Sequence, residues 1–158
     1  MSDIFNLTDS IDMILQVSAL CGVEEKGKEL IEEIQSRFDN LKLFNPVSSL
    51  YLIWKKPYMA VGQNTFIHQM MGKGGFENVI IQDRYPELSE EEIIRLNPEV
   101  VLLSSEPYPF AGKHQQEVEA LLPHANVMLV DGELFSWYGS RLLQLPAYLQ
   151  KLRSHLQV

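Results

Sequence analysis

The chain has 158 residues, of which 46% are hydrophobic and 22% charged, with 9 glycines and 8 prolines. That length corresponds to about one domain with a buried core, and the composition is that of an ordinary globular protein. A formal net charge of −8 argues against nucleic acid as a partner, because phosphate binding needs clustered Lys and Arg, and the sequence has no basic stripe. Cys21 is the single cysteine, which excludes an internal disulfide and a multi-cysteine metal site.

Two helices are predicted before the first strand. A polar residue at 8–10 can cap the first helix, whose apolar residues have helical spacing up to Gly22. The second runs from residue 24 to about residue 43, with a narrow apolar stripe and a strongly charged opposite face. Pro46 follows and ends the helical pattern. This long helix is interpreted as a spine that packs on one side only.

Beyond residue 46 the pattern alternates between strands and helices. Apolar runs predict strands at 50–54, 79–81, 100–103 and 127–130. Helical patterns lie at 64–71, 89–96, 115–122 and 141–156. Ser89 and Glu92 have the spacing of a capping box at the start of the second of these helices. Strands separated by helices imply right-handed crossovers, so the predicted fold class is α/β, with a mainly parallel sheet and helices on both faces.

Three of the predicted strands end in loops rich in aromatic, proline and polar residues, at 55–59, 104–110 and 131–141. If the strands are parallel, these loops gather at one edge of the sheet, where open α/β sheets bind ligands. The sequence therefore predicts a recognition surface at this edge.

Several stretches, taken in order, resemble one family. They are YLIW at 51–54, GGFENV at 74–79, YPELS at 85–89, SxExIxxxNPEVV at 89–101 and SWYG at 136–139. Together they resemble the substrate-binding proteins of ABC importers for vitamin B12, ferric siderophores and haem, which have two lobes joined by a long backbone helix. The resemblance implies that residues 1–44 are the end of the N-terminal lobe plus the backbone helix. Residues 45–158 would then be the C-terminal Rossmann-like lobe.

The resemblance also implies a function. The parent protein would capture a metal chelate (cobalamin, a ferric siderophore or haem) in the periplasm or cell envelope and deliver it to an ABC permease with its ATPase, without chemistry. The N-terminal lobe and an export signal are not found in this sequence, since residues 1–8 lack the basic and apolar regions of a signal peptide. We therefore expect an excised or naturally truncated single lobe of a normally two-lobed protein. No cofactor is implied beyond the ligand itself.

Five residues match positions where the family places groups against the ligand: Tyr58, Met59, Tyr85, Trp137 and Tyr138. The alternative for Tyr58 and Met59 is loop packing beside a proline, and for Tyr85 it is stacking on the proline that follows. For the adjacent aromatic residues 137 and 138 a ligand contact is favoured, because two neighbouring large rings in a loop cannot both point into the core. Positive charges near the same edge would suit an anionic chelate but are otherwise surface charges; these are Lys55, Lys56, Arg84, Lys113 and Arg141.

Glu91 matches the surface glutamate that related importers present to arginines of the permease. An acidic residue in the first helical turn also complements the helix dipole, and the two roles are compatible.

Catalysis is the minority interpretation. The four histidines, His68, His114, His124 and His155, have no metal-ligand spacing, and no nucleophile motif is present. No catalytic residue and no metal ligand is therefore predicted. The alternative function is a small cytosolic α/β enzyme or cofactor-handling protein that uses the strand-end loops.

A lobe without its partner would expose apolar surface along the cleft and the spine. We therefore expect the isolated lobe to self-associate.

Overall fold

The computed structural model describes residues 4–156, which form seven α-helices, one 3₁₀ helix and six strands. The helices are α1 (Leu7–Leu20), α2 (Glu24–Asp39), α3 (Phe66–Lys73), α4 (Glu90–Leu96), α5 (Gly112–Leu121), α6 (Gly132–Ser136) and α7 (Leu145–His155), with the 3₁₀ helix at Ser140–Leu143. The strands are β1 (Val47–Trp54), β2 (Tyr58–Ala60), β3 (Phe76–Asn78), β4 (Glu87–Leu88), β5 (Val100–Ser104) and β6 (Asn126–Val130).

The six strands form one mixed sheet in the order β4-β2-β1-β5-β6, with β3 also paired to β1. The β1–β3, β1–β5 and β5–β6 pairs are parallel, whereas β1–β2 and β2–β4 are antiparallel. The α/β class is therefore confirmed, but the prediction of a mainly parallel sheet is corrected to a mixed one. The reason is local: only residues 55–57 separate β1 from β2, and so short a connection can only return the chain antiparallel.

The predicted strand at 79–81 is wrong, because the strand lies earlier, at Phe76–Asn78. The Asn78 side chain then takes over the hydrogen bonding. Its Oδ1 accepts from the Ile80 amide at 3.0 Å, and its Nδ2 donates to the Val61 carbonyl at 2.9 Å. Hydrogen bonds between a side chain and the backbone, such as these, take the place of the backbone hydrogen bonds between paired strands.

The predicted closing helix is also divided. The 3₁₀ helix comes first, and α7 begins after Gln144, with Pro146 in its first turn, where a missing amide costs no hydrogen bond.

Helices cover both faces of the sheet, which gives two apolar cores. Along β1, Tyr51 and Ile53 point to the core formed with α1, α2, α3, α6 and α7, which we call the α7 face. Leu50 and Leu52 point to the core formed with α4 and α5, the α5 face. This alternation is the two-residue period of a strand that is buried on both sides.

The spine predicted at residues 24–43 is α2, which ends at Asp39. Its buried residues Ile31, Ile34 and Phe38 belong to the core of the α7 face. The Arg37 Nη1 atom donates to the Leu143 carbonyl at 2.8 Å, joining α2 to the C-terminal region. No helix within residues 4–156 has both the length and the apolar character needed to span a membrane.

Candidate functional site

The carboxyl ends of β1, β5 and β6 meet at one edge of the sheet, as their parallel pairing requires. The loops that follow β5 and β6 are hydrogen-bonded to each other. The Gly132 amide donates to Ser105 Oγ at 2.9 Å, and within the β5 loop itself Ser104 Oγ donates to the Glu106 carbonyl at 2.6 Å. A Cβ atom at residue 132 would lie 2.3 Å from Ser104 Oγ, so only glycine fits between the loops. The two loops therefore form one continuous surface.

A buried tyrosine supports this surface from below. The Tyr51 hydroxyl donates to Ser104 Oγ at 3.2 Å, and burial raises the pKa of Tyr51 far above its usual range. Tyr51 therefore stays neutral and acts as a fixed hydrogen-bond donor under the β5 loop.

Asp131 positions the third loop by capping α6. Its Oδ1 accepts from the amides of Glu133 and Leu134 at 3.0 and 3.3 Å, and its own amide donates to the Tyr148 hydroxyl at 2.8 Å. The five-residue helix α6, which the sequence analysis missed, carries the chain from this cap to Trp137. The sequence signal for this helix is Asp131 directly after the predicted strand, because aspartate is a favoured helix N-cap.

Trp137 and Tyr138 are both exposed, with 50% and 45% of their surface accessible. The Tyr138 ring packs edge-on against Phe66 at the start of α3, with centroids 5.5 Å apart. The Trp137 ring lies 5.6 Å from the Arg141 guanidinium, which is also paired with Glu133. Both rings are thus held by neighbours while one side of each faces outward.

Tyr85 reaches the same region from another loop and is 40% exposed. Its segment runs beside the loop before α3, where the Gly62 amide donates to the Arg84 carbonyl at 2.6 Å and the Arg84 amide donates to the Gln63 carbonyl at 2.9 Å. Partial burial raises the pKa of Tyr85, and Tyr138 is close enough to raise it further, against the opposing effect of Arg84. Tyr85, Tyr138 and Trp137 therefore form a group that we call the aromatic row.

Tyr58 and Met59 lie elsewhere. Both belong to strand β2 and not to a loop, and Tyr58 is only 6% exposed, packed in the core of the α5 face opposite Leu88. Met59 points to the other side and packs, partly buried, against the core of the α7 face. The ligand contact predicted for Tyr58 does not fit this burial, so we leave Tyr58 out of the candidate surface.

A second aromatic group was not recognised as a unit from the sequence. Trp54, at the end of β1, packs edge-on against Tyr108 with centroids 5.5 Å apart, and Tyr108 contacts Phe110 and His114. The sequence signal for this group was the alternation of side chains between the two faces of β1, which places Trp54 on the same face as Leu50 and Leu52. Because the His114 Nδ1 atom accepts from the Ala111 amide at 3.0 Å, this group mainly anchors the start of α5.

Two of the positive charges at the edge are neutralised within the chain. Lys55 forms an ion pair with Glu117, and Arg141 forms one with Glu133. Burial, followed by the nearby Lys56 and Lys113, lowers the pKa of Lys55.

Glu91 is exposed in the first turn of α4, on the α5 face of the molecule. The predicted capping box is confirmed: Ser89 Oγ accepts from the Glu92 amide at 3.2 Å, and Glu92 Oε2 accepts from the Ser89 amide at 2.7 Å. Hydrogen bonds from its own backbone amide and from Ser89 lower the pKa of Glu91, so its carboxylate is ionised at neutral pH. Within residues 4–156, no three His, Cys, Asp or Glu side chains are grouped so that they could hold a metal ion.

The fold matches solved structures of binding proteins over nearly its whole length. A protein described as a possible iron-binding, periplasmic solute-binding protein from Staphylococcus epidermidis has a TM-score of 0.78 and 19% identity, covering 99% of this chain and 64% of its own. A periplasmic heme-binding protein from Pseudomonas aeruginosa has a TM-score of 0.81 and 16% identity, covering 96% of this chain and 61% of its own. The periplasmic vitamin B12 binding protein of Vibrio cholerae has a TM-score of 0.74 and 16% identity, covering 99% of this chain and 65% of its own.

Residues 3–125 match the protein family described as periplasmic binding protein, and the chain belongs to this family. It is a family of binding proteins and not of enzymes. No curated protein matches the chain. The chain spans less than two thirds of the length of the solved structures above, so it corresponds to a single α/β lobe of proteins that have two.

Proposed function

We propose that this chain is the C-terminal lobe, with the backbone helix, of an ABC importer substrate-binding protein for a metal chelate. Residues 1–44 would be the end of the first lobe and the backbone helix, and residues 45–158 the ligand-binding lobe. The aromatic row is the observation that carries the proposal. Three rings, each 40–50% exposed, stand at the carboxyl edge of the sheet in a chain of the periplasmic binding protein family. Exposed aromatic faces supported from behind are suited to a large, flat or apolar ligand.

The proposed ligand class, a metal chelate, is supported by the similar structures. The similar structures include a possible iron-binding protein, a heme-binding protein and a vitamin B12 binding protein. In a chelate of this kind the metal is already held by its ligand, and the protein needs only ring faces and a few charges. Trp137 and Tyr138 would contact the chelate directly, Tyr85 would extend the wall, and Met59 would lie at its border.

Tryptophan fluorescence can test the ligand surface, because the chain has two tryptophans, one in the aromatic row and one outside it. The variant Trp54→Phe leaves Trp137 as the reporter, and Trp137→Phe leaves Trp54 as the matched control. We expect hemin, cyanocobalamin or a ferric siderophore to quench Trp137 with saturation and more strongly than Trp54. Affinity will be low, because one lobe supplies only half of the contacts of a closed cleft. Equal quenching of both reporters by every chelate, or none by any, would contradict the proposed surface.

We further propose that Glu91 docks on the membrane permease. Its exposed, ionised carboxylate is not needed for the capping box, which uses Ser89 and Glu92. It is therefore available to an arginine of a partner.

A charge reversal tests this docking role against a matched neighbour, Glu90, which is exposed in the same helical turn. In reconstituted transporter with the full two-lobed parent, we expect Glu91→Lys to reduce stimulation of ATP hydrolysis by about tenfold or more, since a buried interfacial charge pair contributes roughly 2–5 kcal/mol. Glu90→Lys should have a much smaller effect. If the two variants behave alike, the docking role of Glu91 is wrong.

A further inference from the structure

Strand β6 forms an unprotected edge of the sheet. It pairs with β5 on one side, and on the other side no strand among residues 4–156 lies against it. Its sequence, Asn126–Val130, contains no charged residue and no proline, and its pairing with β5 is regular without a bulge. Natural proteins usually block such an edge with charges, proline or a bulge, because the free backbone groups otherwise pair with another strand.

The register identifies which backbone groups are free. The Asn126 amide donates to the Glu99 carbonyl at 2.8 Å, and the Val130 carbonyl accepts from the Ser105 amide at 2.9 Å. Because a strand alternates, residues 126, 128 and 130 direct their backbone groups to β5, and Val127 and Leu129 direct theirs outward. On this outer side Gln115 Nε2 donates to the Val127 carbonyl at 2.9 Å, which leaves that oxygen one further lone pair.

The side chains along the edge are also incompletely covered. Leu129 is 42% exposed on the α5 face, next to the buried Val127. Open depressions of about 480 Å³ and 630 Å³ lie at the two ends of the strand. The first is bordered by Met128 and His155, and the second by Leu129 and Glu133. In the part of the chain that the structure describes, the edge is therefore accessible between α5 and α7.

We propose that a second copy of this chain pairs with β6 in the antiparallel direction, about a twofold axis centred on Met128. This strand is self-complementary in that arrangement. Val127 of one copy lies opposite Leu129 of the other, so their outward amides and carbonyls exchange four hydrogen bonds across the dimer. Opposite residues share a face, so the pairing places each exposed Leu129 beside Val127 of the second copy. The axis also brings the His155 end of one copy to the Glu133 end of the other.

Cysteine cross-linking tests the register. In a Cys21→Ser background, Met128→Cys places two thiols opposite each other at a non-hydrogen-bonded pair, where Cα atoms lie about 4.5 Å apart, within disulfide range. The matched control Asn126→Cys is on the same edge, but its two copies would be about 13 Å apart, beyond disulfide range, because each strand residue advances about 3.3 Å. We expect Met128→Cys to form disulfide dimers at least about tenfold faster. Equal rates for the two variants would overturn the proposal.

Sedimentation of the unmodified 158-residue chain over a wide concentration range gives the second test, and we expect a monomer–dimer equilibrium. Leu129→Lys should raise the dimer dissociation constant by about tenfold or more, because a charge is placed in the pairing edge. Leu43→Lys, at an exposed leucine outside β6, should leave the dissociation constant unchanged. A strict monomer at every concentration overturns the proposal. A different interface would be indicated by a dimer that persists in Leu129→Lys but is lost in Val17→Lys, and this result also overturns the proposal. Val17 lies in the exposed apolar groove between α1 and α2.

Discussion

At the scale of single residues, small side chains determine how the candidate surface is assembled. Gly132 allows the β5 and β6 loops to touch, and Gly62 allows the segment that carries Tyr85 to pass close to the start of α3. A Cβ atom at residue 62 would lie 2.2 Å from the Gln82 carbonyl oxygen. Neither requirement can be seen in the sequence, because both depend on backbone that is distant along the chain.

Gly132→Ala should therefore be strongly destabilising for so small a change. The added methyl group would meet Ser104 Oγ at 2.3 Å and the Glu106 amide at 3.0 Å, and overpacking of this kind costs about 1–3 kcal/mol. The matched control is Gly72→Ala in α3, where nothing lies within 4 Å and alanine should stabilise the helix by about 0.5–1 kcal/mol. Urea unfolding of both variants measures the difference. Equal stability of Gly132→Ala and the wild type would show that the two loops are not in contact.

At the scale of secondary-structure elements, short polar signals determine where helices begin. The Ser89 capping box was predicted from three-residue spacing and is present as predicted. The first helix begins at least two residues earlier than expected, because Asn6, and not a residue at 8–10, accepts from the Asp9 amide at 3.0 Å. Sequence fixes such boundaries only within a few residues when several capping residues are adjacent.

Ser89→Ala tests the contribution of the capping box. It removes the acceptor for the Glu92 amide, and we expect a loss of about 1 kcal/mol in the free energy of unfolding. Ser36→Ala, at an exposed position within α2, is the matched control and should be neutral or slightly stabilising, because alanine is the better helix former. Equal effects of the two substitutions in urea titrations would argue against the capping contribution.

At the scale of the whole molecule, the spine and the α/β unit share one core. Ile34 of α2 has no exposed surface and belongs to the same cluster as residues of α3, α6 and α7. The proposed boundary at residue 44 therefore separates two parts of the two-lobed parent protein. We expect the residues on its two sides to fold together as one unit.

Ile34→Ala tests this expectation, because both tryptophans lie after residue 45 and report only on the α/β unit. Replacing a fully buried isoleucine by alanine lowers the free energy of unfolding by about 2–5 kcal/mol. If the core unfolds as one cooperative unit, the urea transition followed by tryptophan fluorescence should show this full loss of stability. The control is Leu43→Lys, at an exposed position in the same segment, which should leave the transition unchanged. A tryptophan transition unaffected by Ile34→Ala would mean that α2 unfolds independently.

The sequence by itself determined the α/β class, the long charged helix, the capping box and the family. These depend on periodicity, on residue spacing and on ordered motifs, all of which are local along the chain. It also located the exposed pair Trp137 and Tyr138, because two adjacent rings in a loop cannot both be buried. It did not locate β2, and Tyr58, expected in a loop, lies in this short strand, which only pairing with β1 and β4 creates.

Only the tertiary structure decided the direction of β2, the direct contact between the β5 and β6 loops and the composition of the aromatic row. Tyr85 and Tyr138 are 53 residues apart, and they become neighbours through backbone bonds between residues 62–63 and 82–84 and through contact with Phe66. Likewise, β6 is an edge strand because, among the described residues, only β5 pairs with it. Such properties depend on which distant segments pack together, and that choice is made by the packing of the whole core and not by any local signal.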